Sequence, residues 1–148
     1  MIIMENECGC VLIINTEEQH PEVVTKMTGV KATKLFVKGE PHIDKKTGKE
    51  RSGTQYLRNI WEWDPGRLYG SEWQIEDATC KILDMVQSNP GFKTVFETFK
   101  KCFFRGYAYV YDFHIVVGFS PETLHKLHEV GIPFEFDLYS FKEDAVSD

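Results

Sequence analysis

The period of the hydrophobic positions changes several times along the chain, and each change marks an expected element. Cys8 to Asn15 is apolar and rich in β-branched residues, the pattern of a strand buried on both faces. His20-Pro21-Glu22 then opens a segment in which Val23, Val24 and Met27 recur at helical spacing up to Gly29. Proline suits a first helical turn and glycine an exit, so a short helix is expected. Thr33 to Val37 returns to strand-like residues, and Gly39 to Thr54, with Pro41, Gly48 and Gly53 among charges, predicts a surface loop or irregular hairpin. Tyr56 to Trp63 alternates, which places Trp61 and Trp63 on one face of a strand ending at the turn Asp64-Pro65-Gly66.

In the second half, Ile75, Ala78, Thr79, Ile82, Leu83 and Val86 follow the i, i+3, i+4, i+7 rule and predict a helix of about three turns. Asn89-Pro90 reads as a cap and first-turn proline for another helix, with the stripe Phe92, Val95, Phe96 and Phe99. Cys102 to Asp112 and Phe113 to Phe119 predict two strands. Ser120-Pro121-Glu122 caps a helix whose expected buried stripe is Leu124, Leu127 and Val130, and Gly131 ends it. Phe134, Phe136 and Leu138 alternate with Glu135, Asp137 and Tyr139 in a one-sided last strand, and residues 142–148 form an acidic tail. Pro21-Glu22 up to Gly29-Val30 parallels Pro121-Glu122 up to Gly131-Ile132, each copy lying between two strands. Right-handed crossovers would then put the helices mainly on one face of a mixed or antiparallel sheet. The expected class is α+β, ferredoxin-like, with a strand-helix-strand unit used twice.

A length of 148 residues suits one domain, residues 1–148, with a charged loop at 39–54. Apolar runs such as Val11 to Ile14 and Ile115 to Val117 are far short of the ~20 residues that span a bilayer, so no membrane association is expected. Met1 to Glu7 has no basic segment leading into an apolar stretch, which makes the cytoplasm the expected compartment. Cys8 and Cys10 are too close for an ordinary disulfide, and with Cys80 and Cys102 they read as free thiols. The net charge of −6 is uneven: Lys31 to Arg58 holds eight Lys or Arg against Glu40, Asp44 and Glu50, while the rest of the chain is acidic. A nucleic-acid binder presents a dominant basic face, so one basic loop on an acidic body argues against nucleic acid.

Candidate chemistry is sparse. His125, His128 and Glu129 share a helix without the His-Glu-x-x-His order, and His20, His42 and His114 read as structural or solvated, so no metal and no cofactor is expected. Gly48-Lys49 lacks the rest of a phosphate loop. Cys8 and Cys10 share a face with Leu12 and Ile14, which favours packing over nucleophilic use. Glu62 with Asp64 and Glu135 with Asp137 are explained by the solvent side of strands. The distinctive feature is aromatic: Tyr107, Tyr109, Tyr111 and Phe113 alternate with Ala108, Val110 and Asp112, so their rings line one sheet face, with Trp61 and Trp63 as candidate additions. Tyr and Trp supply large contact area at low entropy cost, which makes these residues candidate partner-binding groups.

The order of several short motifs resembles a bacterial domain-of-unknown-function family, number forty-two seventy-nine. The counterparts are Pro21-Glu22, Gly29-Val30-Lys31-Ala32-Thr33, Phe36-Val37-Lys38-Gly39-Glu40, Trp61, Phe119-Ser120-Pro121-Glu122 and Asp137-Leu138-Tyr139. Ala32 stands where the family has proline, and Phe36 where it has tryptophan. The resemblance implies a fold and a bacterial origin and transfers no catalytic residues. The expected function is therefore a non-catalytic protein-binding module. By analogy of class it is an immunity protein covering a basic toxin domain; a homodimer through the tyrosine strand is the other expected assembly. The alternative is a small-molecule-binding protein or an enzyme using the aromatic face or a pocket under the 39–54 loop.

Overall fold

A computed structural model describes residues 6–44, 46–66, 68–69, 74–111 and 115–141. In chain order the elements are β1 (Glu7–Glu17), α1 (Glu22–Thr28), β2 (Lys34–Phe36), β3 (Pro41–Ile43), β4 (Glu50–Gln55), β5 (Asn59–Trp63) and β6 (Leu68–Tyr69). They continue with α2 (Gln74–Gln87), α3 (Gly91–Thr98), β7 (Lys101–Val110), α4 (Pro121–Val130) and β8 (Phe134–Ser140). The class is α+β, with a mixed sheet in the order β2-β5-β1-β7-β8, β6 beside β1, and a separate β3-β4 hairpin. β2 and β5 are antiparallel, whereas β7 and β8 are parallel and joined through α4. No described helix is long and apolar enough to cross a membrane.

The contacts divide the chain into two compact units. The first comprises the described residues within 6–12, 64–85 and 103–141. Its core gathers Cys8, Ile75, Ala108 and Val110, against which Ile115, Val117, Phe119 and Phe134 pack. Phe134 stacks on Phe104 at 6.0 Å. Gly106 lets this layer close, because a Cβ there would meet Phe134 at 3.0 Å and Ile75 at 3.2 Å. Ser120 caps α4 by accepting the Thr123 N–H at 3.2 Å, and its own N–H donates to the Glu76 carboxylate on α2.

The second unit comprises residues 13–63 and 86–102. Its core is built on Val24, Trp61, Phe92, Val95 and Phe99. α1 packs on α3, and Gly29 closes α1 in the left-handed conformation that glycine adopts without steric cost. Asn59 ties three segments together: its Nδ2 donates to the Glu17 carbonyl at 2.8 Å, its Oδ1 accepts the Lys38 N–H at 2.9 Å, and its own carbonyl accepts from Thr16 Oγ1 at 3.4 Å.

Three expectations are corrected. Residues 115–119 form no strand, although Val116 is exposed and Ile115 and Val117 face the core. Both sides of β7 are already occupied by β1 and β8, so this alternation reflects packing without a ladder; Phe113 and His114 lie outside the described residues, as does the 142–148 tail. Leu124 is 53% exposed, and the buried side of α4 centres on Thr123, which contacts Ser120 Oγ at 3.1 Å and Cys80 Sγ at 3.5 Å. A threonine at a helical core position escapes a count of apolar residues alone. Finally, β8 is not one-sided: Phe136 and Leu138 are exposed on one face and Tyr139 on the other, because β8 ends the sheet.

Candidate functional site

β7 alternates throughout its length. Cys102, Phe104, Gly106, Ala108 and Val110 are buried, while Phe103, Arg105, Tyr107, Tyr109 and the following Tyr111 are half-exposed on the opposite face. The parallel register sets Arg105 beside Glu135, Tyr107 beside Asp137 and Tyr109 beside Tyr139. Residues paired this way project to the same side of a sheet, so the odd-numbered residues of both strands form one surface. On it the rings run in a continuous row: Tyr107 to Tyr109 at 6.0 Å, Tyr109 stacked on Tyr139 at 5.2 Å, and Tyr111 stacked on Phe141 at 4.9 Å. These spacings lie within the range in which aromatic pairs attract.

Charge is interleaved with the rings. Arg105 bonds Glu135 at 3.4 Å and lies 5.1 Å above the Phe103 ring. The Tyr139 hydroxyl donates to Asp137 Oδ2 at 2.9 Å. That bond, reinforced by the carboxylate charge, holds the Tyr139 phenol above its usual range. Gly9 on β1 provides the seat for Tyr107, since a Cβ there would lie 2.4 Å from the phenol oxygen.

The structure thus brings Tyr107, Tyr109 and Tyr111 together, as expected. Trp61 is a correction: it is 0% exposed, meets the Phe92 ring edge-on at 5.9 Å and donates from Nε1 to Thr25 Oγ1 at 3.1 Å. A side chain so enclosed is core and cannot meet a partner. Trp63, two residues along the same strand of the second unit, is half-buried. The sequence reading missed Tyr139, Phe141, Arg105 and Gly9, because their membership depends on the β7-β8 register and on the approach of β1, neither of which is written in local alternation.

The thiols belong to the interior. Cys8, Cys10 and Cys102 are buried, and burial pushes the Cys10 and Cys102 thiols up to about 12. Both are therefore protonated at neutral pH. A thiol whose pKa is raised by folding contributes stability that is whole below the unfolded value of 9.0 and lost as pH climbs toward about 12. Between those limits the expected loss is about 1.4 kcal/mol per pH unit for each thiol. Urea denaturation across the alkaline range should show a steeper fall for the native chain than for a Cys10→Ala, Cys102→Ala variant, and equal slopes would refute the assignment.

Among the histidines, His125 pairs with Glu129 at 3.1 Å on the exposed side of α4, and His42 lies against the Tyr56 ring at 4.3 Å. No group of three or more His, Cys, Asp or Glu among the described residues is placed to hold a metal. The β3-β4 hairpin carries a cleft of about 490 Å³ lined by His42, Ile43, Asp44, Lys46, Arg51 and Tyr56.

This arrangement defines an α+β protein distinguished by an aromatic, charge-interleaved surface on β7 and β8. The chain belongs to the DUF4279 family, a domain of unknown function, whose model matches residues 6–141. No curated protein and no solved structure matched it.

Proposed function

We propose that the protein is a non-catalytic, cytosolic protein-binding module of bacterial origin, and that its partner docks on the aromatic surface of β7 and β8. The observation that carries this reading is the row Tyr107, Tyr109, Tyr139, Tyr111 and Phe141, whose rings remain partly exposed. Glu135 and Asp137 beside these rings, on a chain of net charge −6, favour a basic partner, through charge attraction and through cations placed over tyrosine faces. An immunity protein covering a basic toxin domain fits that chemistry. The strand order β2-β5-β1-β7, with α1 after β1 and with α2 and α3 before β7, supports a ferredoxin-like reading. In that reading β5 and β7, joined through α2 and α3, form the second strand-helix-strand unit, while α4, which carries the second Pro-Glu motif, adds β8 beside β7.

The test is to purify the chain with the product of the adjacent gene and measure affinity against salt. Tyr109→Ala should weaken the complex by about 2 kcal/mol or more while the melting temperature moves little, because a central anchor ring contributes mainly to binding. A variant that unfolds many degrees lower with affinity unchanged would mark Tyr109 as a packing residue and end this reading.

A further inference from the structure

We propose that the outer edge of β8 pairs with the same edge of a second copy of this chain, antiparallel about a two-fold axis at Leu138. β8 ends the strand order, and among the described residues no strand lies on its outer side. The Phe104 N–H donates to the Pro133 carbonyl at 2.9 Å and the Phe141 N–H to the Val110 carbonyl at 2.9 Å. Odd-numbered residues of β8 therefore turn their backbone groups toward β7, and the N–H and C=O of Phe134, Phe136, Leu138 and Ser140 point outward. The register with β7 runs one to one from Phe104 and Phe134 to Val110 and Ser140 without a bulge, and no proline falls within the strand. Two devices that blunt a sheet edge, bulges and prolines, are thus missing from β8. Phe136 and Leu138, 47% and 55% exposed, supply apolar area for the added strand to cover.

The occupant follows from the register. A symmetric pair must be centred on a residue so that outward-pointing groups meet one another. Centring on Asp137 would oppose two carboxylates, and centring on Phe136 would set Glu135 against the second copy's Asp137; like charges directly opposite destabilise a ladder. Centring on Tyr139 leaves only residues 138–140 of each strand in register. Centring on Leu138 pairs Leu138 with its equivalent and Phe136 with Ser140. It also places each Asp137 opposite the other copy's Tyr139, the same carboxylate and phenol that already bond within one chain at 2.9 Å. Closed two-fold association is the commonest form of homo-oligomer. This pairing rests on the backbone edge and the Phe136-Leu138 side and touches the partner surface only at Asp137 and Tyr139, so Leu138→Lys tests it separately from the partner reading, which Tyr109→Ala tests.

Sedimentation of the full chain should show a dimer. Leu138→Lys, which opposes two cations at the axis and removes apolar cover, should weaken it about tenfold or more with folding unchanged. Tyr109→Ala should leave it intact. In a Cys80→Ser background, Leu138→Cys should cross-link rapidly, since directly opposed residues have Cα atoms about 5.5 Å apart, within disulfide reach. Ser140→Cys should not, because the two copies of residue 140 would lie about 14 Å apart. A monomeric native chain, a dimer that survives Leu138→Lys, or Ser140→Cys cross-linking as fast as Leu138→Cys would each overturn the proposal.

Discussion

Replacing Trp61 with alanine is expected to cost about 3–5 kcal/mol of folding stability, the range for emptying a large aromatic site in a core. The indole is 0% exposed, so nearly all of its transfer free energy is lost along with its contacts to the edge-on Phe92 ring. Its Nε1–H donates to Thr25 Oγ1 on α1, so the substitution also removes a link between β5 and that helix. Against a total of about 5–15 kcal/mol for a typical folded chain, this is a large fraction. Trp61→Phe keeps most of the ring and loses the donor, and should cost about half as much or less. Guanidinium denaturation followed by far-UV circular dichroism would check both. An alanine variant within about 0.5 kcal/mol of the native chain would show that Trp61 lies in a yielding, solvent-reachable site.

Gly91→Ala is expected to destabilise the second unit by about 3 kcal/mol, the upper part of the range for overpacking. A Cβ at position 91 would lie 2.1 Å from the Met27 carbonyl oxygen, 3.0 Å from the Met27 carbonyl carbon and 3.1 Å from the Thr28 Cα. All three are backbone atoms, so no side-chain rotation relieves the clash, and α1 must move from α3. That movement disturbs Val24 and Phe92, both buried in the same core. Alanine is favoured over glycine within helices by about 1 kcal/mol, too little to offset the displacement. Gly48→Ala provides the contrast: its φ of 68° is left-handed but nothing lies within 4 Å, so only a backbone cost of about 1 kcal/mol is expected. If thermal melts ranked Gly48→Ala as the more damaging, the close approach of the two helices would be disproved.

Signals that act within one turn or one strand were legible in the residues. Gly29 and Gly131 each adopt the left-handed conformation at a helix exit, and Ser120 caps α4 through its hydroxyl. The six apolar-stripe residues of α2 are all buried, as a 3.6-residue period requires. Where the rule was local but ambiguous, small errors entered: at the start of α3 the assigned cap is Pro90, with no side-chain cap bond, and the Asn89 carbonyl accepts the Phe92 N–H. The two short strands of the 39–54 hairpin pair with a register shift, in keeping with a segment whose turn formers outnumber its apolar anchors.

The candidate surface was legible only in part. Alternation separates the two faces of a strand but carries no information about which face a helix will cover. Trp61 and Tyr109 read alike in sequence, as large rings alternating along a strand, yet one is core and the other half-exposed. Neighbour choice is likewise non-local: the parallel register that brings Tyr139 to Tyr109 joins residues thirty positions apart. Local periodicity, caps and turn residues by themselves determined all four helices, most of the strands and the α+β class. The tertiary structure alone decided which aromatic rings meet water, which strand ends the sheet and how its register runs, because those depend on packing between distant segments.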